Sequence, residues 1–141
     1  MADGEYNTAI DVTGGKVLTI KAAKENGNVV LAGVSEQSNA NHSTLKFQGI
    51  TFNNSLIEEG WFTGTAQNLA VCVGAWGGNF TFEDCKFLIA GTSKRETGVM
   101  TWWTTEPAMT ITFKKCEFCG IDDHASARAM QIYGNVNLSV E

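Results

Sequence analysis

The chain has 141 residues, enough for one domain with a sizeable core, and it carries a formal net charge of −5. Its longest basic runs are the pairs Lys94-Arg95 and Lys114-Lys115, whereas nucleic acids and anionic membranes both require a basic face. No apolar run approaches the roughly 18 residues of a membrane span. The composition therefore argues against nucleic-acid partners and against membrane insertion.

Short strands and turns are the expected elements throughout. The 15 glycines, the single proline and the many Val, Thr, Phe and Asn residues favour strands joined by tight turns, and no stretch repeats apolar residues at helical spacing over three turns. In the N-terminal part we predict strands over Ala9–Gly14, Val17–Ala22 and Val29–Ala32. Ser35–Ser43 shows no clear strand pattern, so we expect an irregular corner there.

A repeat begins at Thr44–Asn53 and returns at Asn79–Leu88 and Met109–Gly120. The copies are spaced by 35 residues (47 to 82) and then by 31 residues (82 to 113). They align in three columns: Phe47, Phe82 and Phe113; Ile50, Cys85 and Cys116; and Phe52, Phe87 and Phe118. Apolar and polar residues alternate on both sides of a two-residue corner, which predicts two half-buried strands per copy. Self-similarity at this period is typical of stacked repeat architectures.

A third strand follows each pair after a variable loop. We predict it over Leu69–Trp76, Val99–Thr104, Ala129–Gly134 and, as an earlier copy, Ala9–Gly14. This strand runs into the first strand of the next repeat through Gly or Asn, except where Pro107 is expected to take the turn. Three strands in the same order in every repeat cannot form hairpins, so each strand should stack parallel to its copy at about 4.8 Å per coil.

The predicted architecture is all-β: a right-handed parallel β-helix of about four to five coils, with three short strands per coil. We expect residues 1–141 to form a single such domain. The last residues, VNLSVE, look like the opening of another repeat, so we expect an excised segment of a longer repeat protein. The acidic N-terminus lacks the basic and apolar regions of a signal peptide, so we expect no targeting signal in this segment.

Three motifs carry a family resemblance: Phe80–Phe87 (FTFEDCKF), Ile111–Phe118 (ITFKKCEF) and, more weakly, Leu45–Phe52 (LKFQGITF). They resemble the pectin-lyase-like superfamily, and within it the short F-x-x-C-x-F coils of adhesin-like and polymorphic outer-membrane surface proteins. The resemblance implies a β-helix fold and an extracellular or cell-surface location, as in bacterial adhesins. It selects no activity, because that superfamily includes lyases, hydrolases, epimerases, phage tailspikes and non-enzymatic adhesins.

The cysteines do not form a metal-site or redox-site pattern. Cys116 and Cys119 make one CxxC, but it straddles a predicted strand end and no helix follows it, whereas such sites need a helix N-terminus or further ligands. Cys85 and Cys116 share the column of Ile50, which favours two small core residues. A disulfide between stacked coils is the alternative. We predict no metal ion and no cofactor.

The third strands supply the candidate binding residues. We align Val71 and Val73 with Met100 and Trp102, and these with Met130 and Ile132, as the interior set. The outward set is then Cys72, Gly74, Thr101, Trp103, Gln131 and Tyr133.

Two aromatic faces would then lie in water about 5 Å apart, at Trp103 and Tyr133, flanked by Thr101 and Gln131. Flat aromatics with hydrogen-bonding neighbours suit the apolar face and the hydroxyls of a sugar. A protein contact and ordinary packing under a loop are the alternatives. Trp61, in the longest loop, is a further candidate for this ligand-binding patch.

One loop carries the cluster that invites a catalytic interpretation: Asp122, Asp123 and His124, with Arg128 close behind. Paired carboxylates with a histidine can act as acid and base on a glycosidic bond, and a calcium-dependent lyase would use an outward basic residue. The further residues that accompany an Asp-Asp pair in polygalacturonase-type hydrolases are not found in this sequence. We therefore favour a solvated turn in which an aspartate pairs with Arg128.

The sequence favours a non-catalytic extracellular module of an adhesin-like surface protein, which presents an aromatic, loop-rich face to a glycan or a surface protein. The first alternative is a fragment related to polysaccharide lyases or glycoside hydrolases, with the Asp122–Arg128 cluster at its site. The second is a structural spacer that self-associates through its coil ends, where strand edges lack partners.

Overall fold

The computed structural model describes residues 1–25, 27–36, 42–57, 69–90, 95–101, 104–121 and 128–141. These residues contain fifteen strands and one 3-10 helix, η1 (Asn54–Leu56). In chain order the strands are β1 (Gly4–Tyr6), β2 (Ile10–Val12), β3 (Val17–Lys21), β4 (Val29–Leu31), β5 (Val34–Glu36), β6 (Thr44–Gln48), β7 (Ile50–Asn53), β8 (Leu69–Ala75), β9 (Asn79–Glu83), β10 (Lys86–Ile89), β11 (Arg95–Thr101), β12 (Thr104–Lys114), β13 (Glu117–Gly120), β14 (Arg128–Gln131) and β15 (Gly134–Val140).

The strands form three parallel sheets of five strands each. Sheet A has the order β1-β4-β7-β10-β13, sheet B has β2-β5-β8-β11-β14, and sheet C has β3-β6-β9-β12-β15. Because each sheet takes every third strand, the chain visits the sheets in turn and completes five coils. The predicted all-β parallel β-helix with three short strands per coil is confirmed.

The repeats stack in the predicted register. In sheet C, Phe82 pairs with Phe47 on one side and with Phe113 on the other. In sheet A, Phe87 pairs in the same way with Phe52 and Phe118. Each repeat therefore lies directly above its earlier copy, with main-chain ladders on both sides.

Two columns of phenylalanine fill the interior between sheets C and A. Neighbouring rings within the sheet C column have centroids 5.4 and 5.2 Å apart, and those within the sheet A column 5.1 and 4.5 Å, all nearly parallel. Within one coil the two columns meet edge to face at 5.3 or 5.4 Å. Both arrangements suit the quadrupole of an aromatic ring. All six rings except Phe118 are almost completely buried.

The corner between sheets C and A uses the left-handed backbone conformation. Gly49, Asp84 and Lys115 occupy equivalent places in successive coils, with φ of 63°, 50° and 51°. The amide of each donates to a carbonyl of the next coil, at 2.9 to 3.0 Å, the acceptors being Glu83, Lys114 and Glu141. This conformation costs a non-glycine residue about 1–2 kcal/mol, so the packing of the coils must offset that cost at two of the three corners.

The structure adds β1 (Gly4–Tyr6), which was not predicted, begins β11 at Arg95 rather than Val99, and departs from the predictions at two expected corners. The expected irregular corner at Ser35–Ser43 is wrong at its start, because Val34–Glu36 forms β5 between β2 and β8 in sheet B. All three side chains of β5 are buried, so the alternation that marks a half-exposed strand does not hold there. The expected turn at Pro107 is also wrong: β12 runs continuously through that position, with a shift in register between Thr104 and Met109.

The four cysteines are free thiols. Cys85 is buried in the core cluster and Cys116, half-buried, packs against it, as predicted for small core residues. Cys119 lies within β13 and pairs with Leu88, whereas Cys116 precedes that strand, so the CxxC crosses a strand end as predicted. Cys72 is completely buried, and burial raises its pKa to about 12.

Cys85 and Cys116 interact as a pair of neighbours in successive coils. A hydrogen bond from the Cys85 thiol lowers the pKa of Cys116 to about 7. The same interaction, together with burial, raises the pKa of Cys85. Cys116 is thus the thiol of this pair that ionises first near neutral pH.

We expect Phe82→Ala to lower the free energy of unfolding by about 3–5 kcal/mol, because a fully buried ring and both of its column neighbours lose their contacts. Urea denaturation followed by circular dichroism measures this loss. Phe118→Ala, at a half-buried ring of the last coil, is the matched control and should cost clearly less. Equal losses for the two variants would contradict the ladder of buried rings.

We expect iodoacetamide to label Cys116 with a rate that rises with pH around a midpoint near 7, since the thiolate is the reactive form. Cys72 should stay unlabelled in the folded chain because it is buried and keeps its proton. Mass spectrometry of each cysteine peptide gives the rates. In Cys85→Ala the donor is lost, so the Cys116 midpoint should move up toward about 8.5; an unchanged midpoint would show that Cys85 does not tune Cys116.

Candidate functional site

The register of sheet B corrects the predicted interior set of the third strands. Val99, rather than Met100, pairs with Val73 and Met130. Met100 instead aligns with Gly74 and Gln131. The shift by one residue exchanges the two faces of the strand.

The alternation of faces also breaks within these strands. Cys72 and Val73 are adjacent, and both belong to the core cluster. In the neighbouring strand, a Cβ added to Gly98 would lie 2.7 Å from the Ala129 carbonyl oxygen and 3.0 Å from Ile89 Cδ1. Position 98 therefore requires glycine, which has no Cβ. A strict two-residue period does not predict which side chains of β8 and β11 face the interior. The expected outward position of Cys72 is wrong for this reason.

Both faces of sheet B are covered in its middle strands. Val71, Gly74 and Ala75 of β8 are buried, as are Val99, Met100 and Thr101 of β11. Helix η1 packs against β8, and Asn54 within it bonds to both backbone groups of Ala90, accepting from its amide at 2.7 Å. Among the described residues of the expected binding face, only Gln131 and Tyr133 of the last coil are therefore not fully buried.

Thr101 positions the site without being exposed in it. Its side chain is completely buried, so the expected outward position is wrong. The hydroxyl donates to the Tyr133 carbonyl at 2.8 Å and accepts from the Tyr133 amide at 2.7 Å. Thr101 aligns with the interior Ala75, and from there it fixes the backbone of Tyr133 in the next coil.

A chain of polar side chains lies on the last coil; we call Arg128, Gln131 and Tyr133 the terminal polar cluster. Arg128 Nη1 donates to Gln131 Oε1 at 3.0 Å, and Gln131 Nε2 donates to the Tyr133 hydroxyl. Arg128 is exposed, while Gln131 and Tyr133 are half-buried. Two of the predicted ligand-binding residues, Gln131 and Tyr133, are therefore brought together, and Arg128 joins them.

The other predicted site residues lie outside the described residues: Trp61, Trp103, Asp122, Asp123 and His124. Within the described ranges, no group of three or more His, Cys, Asp and Glu side chains could hold a metal ion. In the same ranges, no helix is long and apolar enough to cross a membrane.

Sequence reasoning overlooked one buried carboxylate. Glu36 is completely buried in sheet B, between Val12 and Ala75 of the neighbouring coils. The sequence does contain an indication of this position: VSE at 34–36 can be aligned with IDV at 10–12. That alignment puts Glu36 in the interior column of Val12. An alignment of these short triplets could have found both the strand and its unusual residue.

The terminal polar cluster offers donors more than acceptors. An arginine side chain carries five N–H donors and a glutamine amide carries two. Within the cluster, Arg128 uses one donor on Gln131, and Gln131 uses one donor on Tyr133. Arg128 and Gln131 have further N–H groups that these two bonds do not use, and the cluster also includes the aromatic ring of Tyr133. Such a surface can hold oxygen atoms of a ligand and contact an apolar ring face; no acid–base pair for bond cleavage lies among its described members.

No family model, curated protein or solved structure matches this chain.

Proposed function

We propose that this chain is a non-catalytic, extracellular β-helix module of an adhesin-like surface protein, and that its terminal polar cluster binds a glycan. The observation that carries the proposal is the hydrogen-bonded series Arg128–Gln131–Tyr133, held from below by buried Thr101. The pectin-lyase-like resemblance of the FTFEDCKF and ITFKKCEF repeats supports the compartment and the module type.

Rigidity supports a binding role for this cluster. The Tyr133 backbone is fixed by two hydrogen bonds to one buried hydroxyl, at 2.7 and 2.8 Å. The Gln131 side chain is oriented at both ends, because its oxygen accepts from Arg128 and its nitrogen donates to Tyr133. Groups that are already oriented lose little conformational entropy when a ligand arrives.

The chemistry of the cluster selects the ligand class. Guanidinium and amide donors match the oxygen atoms of sugar hydroxyls and carboxylates, and a tyrosine ring has an apolar face and a polar tip. An acidic sugar provides both an apolar ring face and a carboxylate for Arg128. We therefore expect acidic glycans to bind more tightly than neutral ones, even though the chain as a whole carries a net charge of −5.

We expect Arg128→Ala to weaken binding of the chain to an acidic glycan by roughly tenfold, since a charge-assisted hydrogen bond contributes about 1.5–3 kcal/mol. Tyr133→Phe should weaken binding severalfold, because Gln131 loses its acceptor. A glycan array identifies the ligand and isothermal calorimetry measures the affinities. Tyr6→Phe is the matched control, since this tyrosine lies in the first coil, where its hydroxyl donates to the Ala2 carbonyl.

One outcome would contradict glycan binding, and another would contradict the non-catalytic role. If no glycan binds but a surface protein does, and Arg128→Ala abolishes that contact, the cluster is a protein-binding site. If incubation with acidic polysaccharides yields unsaturated products that absorb in the ultraviolet, and Arg128→Ala stops their formation, the chain is a polysaccharide lyase. That second candidate is kept because Arg128 is exposed and follows closely in sequence on Asp122, Asp123 and His124.

A further inference from the structure

One corner of the coil stack carries an extra loop. Between sheets C and A, residues 22–28 join β3 to β4, whereas only Gly49 joins β6 to β7 and a pair of residues joins the strands at each later corner. The Ala22 amide donates to the Gln48 carbonyl of the next coil at 3.2 Å, and the Gly27 amide donates to the Lys24 carbonyl at 3.0 Å. The loop is therefore attached to the coil beside it and closed by a turn of its own.

This loop forms one wall of a groove with a volume of about 570 Å³, which we call the corner groove. Its lining comes from three successive coils: the loop itself, then Gln48, Gly49 and Thr51, and then Asp84. The volume lies within the roughly 300–1,000 Å³ of sites that hold small ligands. The corner groove opens on the side of the stack, along the corner between sheets C and A, rather than at either end of it.

The corner groove lies at the one corner of this series where the chain has no side chain. Gly49 has a φ of 63°, and the equivalent residues of the next two coils, Asp84 and Lys115, have φ of 50° and 51°. The fold therefore accepts a side chain in this conformation at the later corners. A Cβ added to Gly49 would lie 3.8 Å from the Ala22 Cβ, so a longer side chain would project toward the loop. Glycine at position 49 keeps the groove open.

Polar groups that the protein itself does not use line the corner groove. Four lining side chains form no hydrogen bond or ion pair with any described residue: Lys21, Glu25, Thr51 and Asp84. Gln48 is oriented, because its amide nitrogen donates to Glu83 Oε2 at 2.6 Å, and this bond leaves its amide oxygen as an acceptor. Donors and acceptors are therefore both present around one concave surface.

The charges of the lining select the class of ligand. The ammonium groups of Lys21 and Lys24 are matched by the carboxylates of Glu25 and Asp84, so the lining has no net charge. A simple anion or a simple cation would meet groups that repel it as well as groups that attract it. A sugar hydroxyl both donates and accepts hydrogen bonds, so a neutral sugar bonds to both kinds of charged group, and hydrogen bonds to charged groups are the strong ones.

We propose that the corner groove binds a unit of a neutral glycan. This site goes beyond the function proposed for the terminal polar cluster, because the groove is built from the first three coils at the corner between sheets C and A, whereas Arg128 and Gln131 lie in sheet B of the last coil. The two sites take sugars of different charge: a neutral sugar in the groove and an acidic sugar at the cluster. Loss of one site leaves the other intact.

The test titrates the isotope-labelled full chain with the neutral disaccharides lactose, maltose, cellobiose and diacetylchitobiose, and follows the amide signals of Gly27 and Gly49 by NMR. At least one of these sugars should shift both signals saturably at millimolar concentration. Gly49→Asn should weaken this binding about tenfold or more, because the new side chain fills the floor of the groove. Lys115→Asn is the matched control, since it changes the equivalent corner outside the groove, and it should leave binding unchanged.

A second variant tests the groove without filling it. Asp84→Asn keeps a residue type that tolerates a positive φ and removes the charge of one acceptor, so it should weaken binding severalfold. Circular dichroism checks the folding of every variant. Arg128→Ala should leave binding of the neutral sugar unchanged, which separates failure of the groove from failure of the terminal polar cluster.

Three results would overturn the proposal. The first is the absence of saturable shifts at Gly27 and Gly49 with all of the neutral disaccharides. The second is binding that neither Gly49→Asn nor Asp84→Asn weakens, since the sugar would then lie elsewhere. The third is tighter binding of glucuronic acid than of every neutral sugar at these two amides, since the groove would then select an anion.

Discussion

The stacking of each coil directly on the one before is the interaction on which the rest of the structure depends. Sheets A, B and C exist only as contacts between coils, because no two described strands of one coil share a sheet. Main-chain ladders alone do not select the register, since a shifted ladder makes similar hydrogen bonds. The interior columns select it: a slip by one residue would turn Phe82 from between Phe47 and Phe113 into solvent.

The same constraint places the candidate site. Tyr133 owes its position to Thr101 of the preceding coil, whose hydroxyl binds both its amide and its carbonyl. In the middle coils the outer face of sheet B is covered, so a described side chain of this sheet reaches solvent only where the stack runs out of neighbours. The terminal polar cluster therefore lies on the last described coil, next to Thr101 of the coil before it.

The sequence predicted the fold well where the side chains repeat and poorly where they do not. The two phenylalanine columns, the two-residue corners and the three-strand order followed from FTFEDCKF and its copies, because a large buried side chain at a fixed place in each coil leaves an unambiguous period. Sheet B carries no such marker. Its middle strands are buried on both faces, its alternation breaks at Cys72–Val73 and at Gly98, and so the faces of Cys72 and Thr101 could not be assigned from a period of two.

The site was partly predictable for the same reason. Gln131 and Tyr133 lie in the last coil, where the outer face of sheet B has fewer neighbours, and there the two side chains that the sequence grouped do meet. Thr101 lies one coil earlier in the interior column of Ala75, so the outward face expected for it is wrong. The sequence favoured a solvated turn for Arg128, with a catalytic role as the alternative, and did not group it with Gln131, to which its guanidinium donates. This pairing depends on β14 beginning at Arg128.

The most direct measurement of the central claim is a double-mutant cycle on the stacked rings. Phe82→Leu and Phe113→Leu, separately and together, should show a coupling of about 0.5–1.5 kcal/mol in the free energy of unfolding, because the rings lie in contact with centroids 5.2 Å apart. The pair Phe47 and Phe113, separated in the column by Phe82, should be additive within about 0.5 kcal/mol. Additivity in both cycles would contradict the view that contacts between successive coils hold this fold together.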